Sequence, residues 1–315
     1  MSTTRPATLT GIVCLSGGLA LFGVQDLILK LLSGDYPLHQ AMVLRGLTAL
    51  PLLYLMVRMN CDGARLFAPG WTAAAARGVV SFVAYTSYYL ALVALPLADT
   101  IALYFSAPLM IVALSVVMLG ERVSLPRWIA VLVGFGGVVI MVRPGSSMFD
   151  GAALLAVGSG LAYALSMILA RIQGGSRSAA VLAFHGNAVF LIGALLLAAV
   201  FGGGQFAGDG HPSLQFMTRA WVMPSPTDAL LMASCGVIAA LGLTLITQAY
   251  RIAPSAAVAP FEYTLMIWGV AYGWIFLGDW PDRTGWTGIA VITGAGLFVL
   301  LREGQERRSA QIPAE

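Results

Sequence analysis

Charge is the scarcest property of this chain. Charged residues make up 10% of it and hydrophobic residues 59%, with a mean hydropathy of +0.86, whereas a soluble domain carries about 25% charged residues. That shortage excludes a water-soluble globule. Cysteine is scarce as well: Cys14 and Cys235 stand in apolar segments and Cys61 in a polar loop, so no disulfide framework is expected. HExxH, GxSxG and Gly-rich phosphate-loop patterns are missing, which argues against a membrane-embedded enzyme and against direct drive by ATP. No metal site, cofactor or nucleic-acid partner is expected. The first residues carry one Arg before an apolar run from about Leu9 and lack a small-residue cleavage site, so that run reads as a retained first span.

What the chain does have is ten apolar stretches, at 9–32, 37–57, 71–93, 98–119, 125–142, 149–170, 178–200, 228–250, 255–277 and 284–301. Each is long enough, at ~17–25 residues, to cross a bilayer core of ~30 Å. The expected fold is therefore all-α and polytopic, with the lipid bilayer as its surroundings. Residues 201–227 form the one long connection and read as a loose linker, with an interfacial flap around Phe216, Met217, Trp221 and Val222 as the alternative.

The arginines set an orientation. With both termini inside, the inner segments hold Arg5, Arg58, Arg65, Arg122, Arg127, Arg171, Arg177, Arg251, Arg302, Arg307 and Arg308, and the outer loops only Arg143, Arg219 and Arg283. Cytoplasmic loops collect such residues, so N-in/C-in is expected.

The chain also repeats itself. At an offset of 158, residues 78–142 match 236–300 at 13 of 65 positions, pairing Pro96 with Pro254, Leu119-Gly120 with Leu277-Gly278, Trp128 with Trp286 and Gly136 with Gly294. At an offset of 140, Gly11 pairs with Gly151, Leu21 with Leu161, Ile28-Leu29 with Ile168-Leu169 and Gly46 with Gly186. The expected units are two five-helix repeats, 9–142 and 149–301, followed by a cytoplasmic tail, 302–315. Five is odd, so the second repeat is inverted relative to the first, the plan of secondary transporters with a midplane site.

These motifs resemble one family. Arg45 within Leu44-Arg45-Gly46-Leu47, Arg77-Gly78, Pro108, Gly120-Glu121-Arg122, Trp128, Gly134-Phe135-Gly136-Gly137, Arg251-Ile252-Ala253-Pro254 and Ala259-Pro260-Phe261-Glu262-Tyr263-Thr264 occur in this order. The chain is thereby similar to ten-helix permeases of the EamA type in the drug/metabolite transporter superfamily. The Asp26…Lys30 pair and the Ala-Pro-aromatic-x-Tyr run resemble the branch with S-adenosylmethionine and riboflavin permeases, although Ser166 stands in the second repeat where Asp26 stands in the first. The resemblance implies alternating-access transport of a small organic metabolite across the bacterial inner membrane. An amino-acid or drug exporter is the alternative, and a non-transporting scaffold a remote one. A homodimer stays open beside the monomer.

Buried ionisable groups nominate the site, because each costs at least ~2.5 kcal/mol in a helix core. Asp26 and Arg45 stand at depths differing by only ~3 Å, which suits either a charged substrate cluster or a structural ion pair, with Lys30 one turn from Asp26. Glu262 follows Pro260, whose missing N–H opens the local backbone. It is the candidate for binding a cationic group or carrying a proton, against a structural bond to Gln248 or Thr264. His185 reads as a structural hydrogen bond, and Arg77 as reaching the interface. Tyr85 and Tyr89 in the third span, Tyr104, Tyr163 and Tyr263 offer flat faces with polar tips, against packing or an interfacial belt. The expected substrate-binding set is Asp26, Arg45, Tyr85, Tyr89, Tyr104, Tyr163, Gln248, Glu262 and Tyr263, with Pro108 and Pro260 as hinges. Gly134, Gly136, Gly137, Gly294 and Gly296 read as packing positions, within the subunit or between subunits. Asp26→Ala is expected to impair transport; normal transport by normal amounts of the variant would remove Asp26 from the site.

Overall fold

The computed structural model of the chain describes residues 4–59, 66, 69–120, 125–143, 150–172, 179–252 and 259–309, and among these it contains helices and no strands. Helix α1 (Thr4–Leu32), α2 (Leu38–Met59) and α3 (Trp71–Ala94) occupy the first three expected spans. The fourth is interrupted. α4 (Leu97–Tyr104) stops at Phe105, and α5 (Ala107–Leu119) starts two residues later. Pro108 thus lies in the first turn of α5, where a missing N–H is tolerated, and does not kink a continuous helix. The Ser106 hydroxyl donates to Leu103 O at 2.7 Å, and Gly160 of the sixth span brings its backbone against Tyr104 O. Broken backbone is tolerable at this depth because protein covers it.

α6 (Leu125–Val142), α7 (Ala152–Ile172) and α8 (Ala179–Phe201) follow. Between α8 and α10 (Pro226–Ile252) the linker reading fails, for the segment is fastened down. It folds α9 (Pro212–Thr218), opened by Pro212 and capped by the His211 ring, which accepts from Ser213 N. The other ring nitrogen donates to Asp150 at 2.8 Å. Ser213 Oγ donates to Leu90 O at 2.6 Å, Arg219 to Ser33 O at 3.0 Å, and Gln40 exchanges two bonds with the Val222 backbone. Phe216 is buried beneath.

The ninth span winds unevenly: a 3-10 turn (Ala259–Tyr263), α11 (Thr264–Tyr272) and a π-turn (Gly273–Leu277) run into one another. α12 (Arg283–Ser309) completes the chain. The matched Leu-Gly exits are helix ends that need left-handed backbone, Gly120 at φ 67 and Gly278 at φ 71. Arg143 grips both oxygens of Asp282 at 2.6 Å, and Asp282 also caps Gly285 N. That guanidinium holds the Asp282 carboxyl below the usual range.

Among the described residues five helical stretches are long and apolar enough to cross a membrane, Leu9–Leu32, Leu38–Met59, Leu97–Leu119 taken across its break, Ala180–Phe201 and Pro226–Ile246, with shorter apolar helices beside them. α1 packs along α10, α3 along α7, α2 along α8, and α6 along α12. The two repeat offsets equate α1 with α7, α2 with α8, α3 with α10 and α6 with α12. Exchanging these mates turns the first contact into the second and leaves the other two unchanged.

Gly236 marks the closest approach. A Cβ there would collide with Thr48 Oγ1 and Arg45 O and would lie 2.8 Å from Ala49 N, so α10 is pressed onto the α2 backbone. Gly136 and Gly294, in contrast, have open space where a Cβ would stand, so neither makes a close approach within the chain, whereas Gly134, Gly137 and Gly296 do. Gly236→Ala is expected to cost about 1–3 kcal/mol or more through overpacking, and Gly294→Ala to gain up to about 1 kcal/mol of helix preference. Thermal unfolding of the two variants in detergent checks both; equal midpoints would contradict the packing.

Candidate functional site

One face of α3 lines the middle of the bundle. Arg77, Ser81, Tyr85 and Tyr89 recur every fourth residue, and Tyr88 flanks them. α1 presents Gln25 and Asp26, α2 presents Arg45, and α8 presents Phe190 to the same region. Asp26 and Arg45 are 5% and 4% exposed, so each must be satisfied from within the protein.

They are satisfied separately. Asp26 Oδ2 accepts from the Tyr88 hydroxyl at 2.8 Å. Arg45 Nε donates to Gln25 Oε1 at 3.1 Å, and Gln25 Nε2 donates on to the Tyr89 hydroxyl at 2.9 Å. The direct Asp26–Arg45 pair anticipated from their depth does not form, because Gln25 and Tyr88 take up the facing atoms. The guanidinium carbon of Arg45 lies 4.6 Å from the Phe190 ring centre and 5.7 Å from that of Tyr85, a cation–π seat. Among the described residues its two terminal amino groups make no hydrogen bond.

The nominated tyrosines form one connected aromatic run. Tyr85 stacks beside Tyr89 at 6.3 Å and 25°, Tyr89 meets Tyr88, and Tyr88 meets Tyr104 at 5.2 Å. Tyr104 then contacts Tyr163 at 5.4 Å and Phe105, which lies 5.2 Å from Tyr263. The break after α4 turns Tyr104 and Phe105 into this run. Glu262, half-buried in the 3-10 turn, directly precedes Tyr263 at the end of this run. Gly296 leaves the space that the Tyr263 hydroxyl fills. The side chains of Gln248, Pro108 and Pro260 lie outside the described ones.

Other expectations shift. Lys30 does not approach Asp26; its ammonium donates to Leu92 O at 2.9 Å and to Leu95 O, capping the end of α3. Arg77 turns inward, with Nη1 3.4 Å from Ser166 Oγ, which is itself 2.8 Å from Ser81 Oγ. His185 Nδ1 bonds Val181 O at 2.9 Å, the structural role expected. Among the described residues no group of three His, Cys, Asp or Glu side chains is placed to hold a metal. Gln25, Tyr88 and Ser81 were not nominated. An amide one residue before a buried acid was the available signal for Gln25, since a lone amide in an apolar run also needs a partner.

Chemically, the region offers flat faces tipped with hydroxyls, one guanidinium with uncommitted donors, and carboxylates at both ends of the aromatic run. Such a lining suits a planar ring with polar edges.

A model described as the EamA-like transporter family matches residues 9–143. A protein named riboflavin transporter from Rhizobium johnstonii is 32% identical over 235 residues, covering 74% of this chain and 70% of that protein. One named S-adenosylmethionine uptake transporter from Rickettsia conorii is 24% identical over 227 residues, covering 72% and 71%. A solved crystal structure superposes over 98% of this chain and 100% of its own with a TM-score of 0.61 at 18% identity, a likeness of fold.

Gln25→Leu leaves Arg45 Nε and the Tyr89 hydroxyl buried without their partner. A loss of about 1.5–3 kcal/mol is expected, read as a lower unfolding midpoint in detergent; an unchanged midpoint would show that Gln25 does not support Arg45.

Proposed function

The chain belongs to the EamA family of the drug/metabolite transporter superfamily, and we propose that it is a secondary transporter moving a small organic metabolite with a flat ring, of the flavin or S-adenosylmethionine kind, across the bacterial inner membrane. The family and the relatives are transporters, and this protein is a multi-pass membrane protein. The observation that carries the reading is the continuous aromatic run from Tyr85 to Tyr263, drawn from spans in both halves and flanked by Asp26 with Arg45 at one end and Glu262 at the other.

In this reading residues 9–142 and 149–301 are inverted five-helix repeats with both termini in the cytoplasm. The exchange of helix contacts under the repeat offsets supports that arrangement. The ring of the substrate lies against Tyr85, Tyr104 and Tyr163. Arg45 supplies donors to its edge, and Glu262 binds a cationic group or carries a coupling proton. Rocking of the halves exposes this region to each side in turn, and the interruptions at Phe105–Ser106 and at the 3-10 turn before Thr264, beside Pro108 and Pro260, give the spans places to bend.

Counterflow in proteoliposomes tests this with riboflavin, S-adenosylmethionine and amino acids as competing exchangers, comparing wild type with Glu262→Gln. Exchange of one ring-bearing compound is expected. If the variant keeps exchange and loses only the proton-driven component, Glu262 couples; if the folded variant loses exchange, Glu262 binds. Folded wild-type protein exchanging none of the compounds would overturn the substrate class.

A further inference from the structure

Arg77 holds a buried N–H without an acceptor. It stands six residues into α3, half-buried against α7. Its Nε is buried and has no hydrogen-bond partner. Nη1 reaches only Ser166 Oγ, at 3.4 Å, near the outer limit of a useful bond. Among the described residues no carboxylate lies within ion-pair distance of it. A guanidinium left this way inside a membrane protein is costly unless something repays it. A structural arginine would be paired; the Nε of Arg77 has no partner and its Nη1 has only the long contact to Ser166.

Its surroundings say what would repay it. Ser81, one turn further along α3, shares a 2.8 Å hydrogen bond with Ser166. That bond uses one of the two hydroxyl protons, and the other is not spent among the described residues. Tyr85 follows one turn beyond Ser81 on the same face of α3, and Tyr163 stands one turn before Ser166 on α7. Tyr85 also carries the Arg45 guanidinium 5.7 Å from its ring centre. The repeat explains the vacancy of charge: Ser166 occupies the position that Asp26 holds in the first half, so the acid that would neutralise Arg77 is a hydroxyl.

We propose that Arg77, Ser81 and Ser166 form an acceptor-binding end of the substrate region, taking a carboxylate or ring-carbonyl oxygen of the transported molecule while its ring lies on Tyr85 and Tyr163. The inference rests on the aromatic run being the substrate path and narrows the substrate class to ring-bearing molecules that carry such an oxygen on the ring or on a side chain. A forked donor matches an oxygen pair with charge-assisted bonds.

Binding to wild type, Arg77→Gln, Arg77→Lys and Ser166→Ala is measured by thermal shift in detergent and by counterflow. The probes are riboflavin, S-adenosylmethionine and decarboxylated S-adenosylmethionine. Arg77→Gln is expected to weaken the bound compound about ten- to hundredfold, Arg77→Lys less, and Ser166→Ala least. If wild type prefers S-adenosylmethionine over its decarboxylated form and Arg77→Gln binds the two alike, the acceptor is a carboxylate. If the affinity for riboflavin falls and the other pair is not distinguished, it is a ring carbonyl. Wild-type affinity for every probe in folded Arg77→Gln and Ser166→Ala overturns the subsite and leaves the transport reading standing. Wild-type protein that neither binds nor exchanges any probe overturns both.

Discussion

A guanidinium sealed among apolar helices can be satisfied only by the protein around it, and the middle of this bundle is arranged to do that for Arg45. One nitrogen goes to Gln25, and the flat cation rests against Phe190 and Tyr85. Each contact constrains a different helix. α1 must bring Gln25 between Arg45 and Tyr89, α3 must turn its tyrosines inward, and α8 must offer a ring. α10 closes the arrangement by laying Gly236 on the carbonyl of Arg45 itself, an approach open only to a residue without a Cβ. With these helices set, Asp26 has Tyr88 as its partner, and the negative charge is held one residue away from the positive one without pairing to it.

Irregular backbone does the second part of the work. Regular spans would carry Tyr104 and Phe105 around a helix and away from each other's partners. The interruption after Tyr104 lets both rings join the run that leads to Tyr163 and Tyr263. Its freed backbone is covered by Ser106 and by the glycine of α7, as a membrane interior requires. The ninth span spends its irregularity in the same way, holding Glu262 and Tyr263 on a tighter turn before a normal helix resumes.

The helical plan was legible because apolar length and turn residues are local properties. The ends of α1, α2, α3 and α6 fall within a few residues of where hydropathy places them, and the matched Leu-Gly exits are the left-handed ends they resemble. Partner choice was less legible. Depth alone equated Asp26 with Arg45, whereas rotation about each helix axis decides who meets whom, and there the intervening amide and phenol won. Arg77 could be assigned to the interface only because its serine neighbour comes from a span almost ninety residues away. The fastened segment between α8 and α10 hid for a different reason: its anchors are scattered hydrogen bonds, to carbonyls of α3 and of the turn after α1, to the Gln40 side chain of α2 and to the Asp150 carboxylate, which composition does not record. Its one local sign was a His-Pro-Ser start with an aromatic residue four positions after the proline.

That segment has a thermodynamic consequence. α9 has no counterpart under either repeat offset, so in the proposed alternating access of two inverted halves the strap weighs on one end only. Opening that end means either carrying the strap along or releasing the bonds from Ser213, Arg219 and Gln40; closing it restores them. Under that proposal the two empty shapes of the carrier are unequal in free energy, and half-saturation measured from one side differs from that measured from the other. Detailed balance still holds. The strap can make the carrier faster or more sensitive in one direction, but the final distribution of solute across the membrane belongs to the gradients alone.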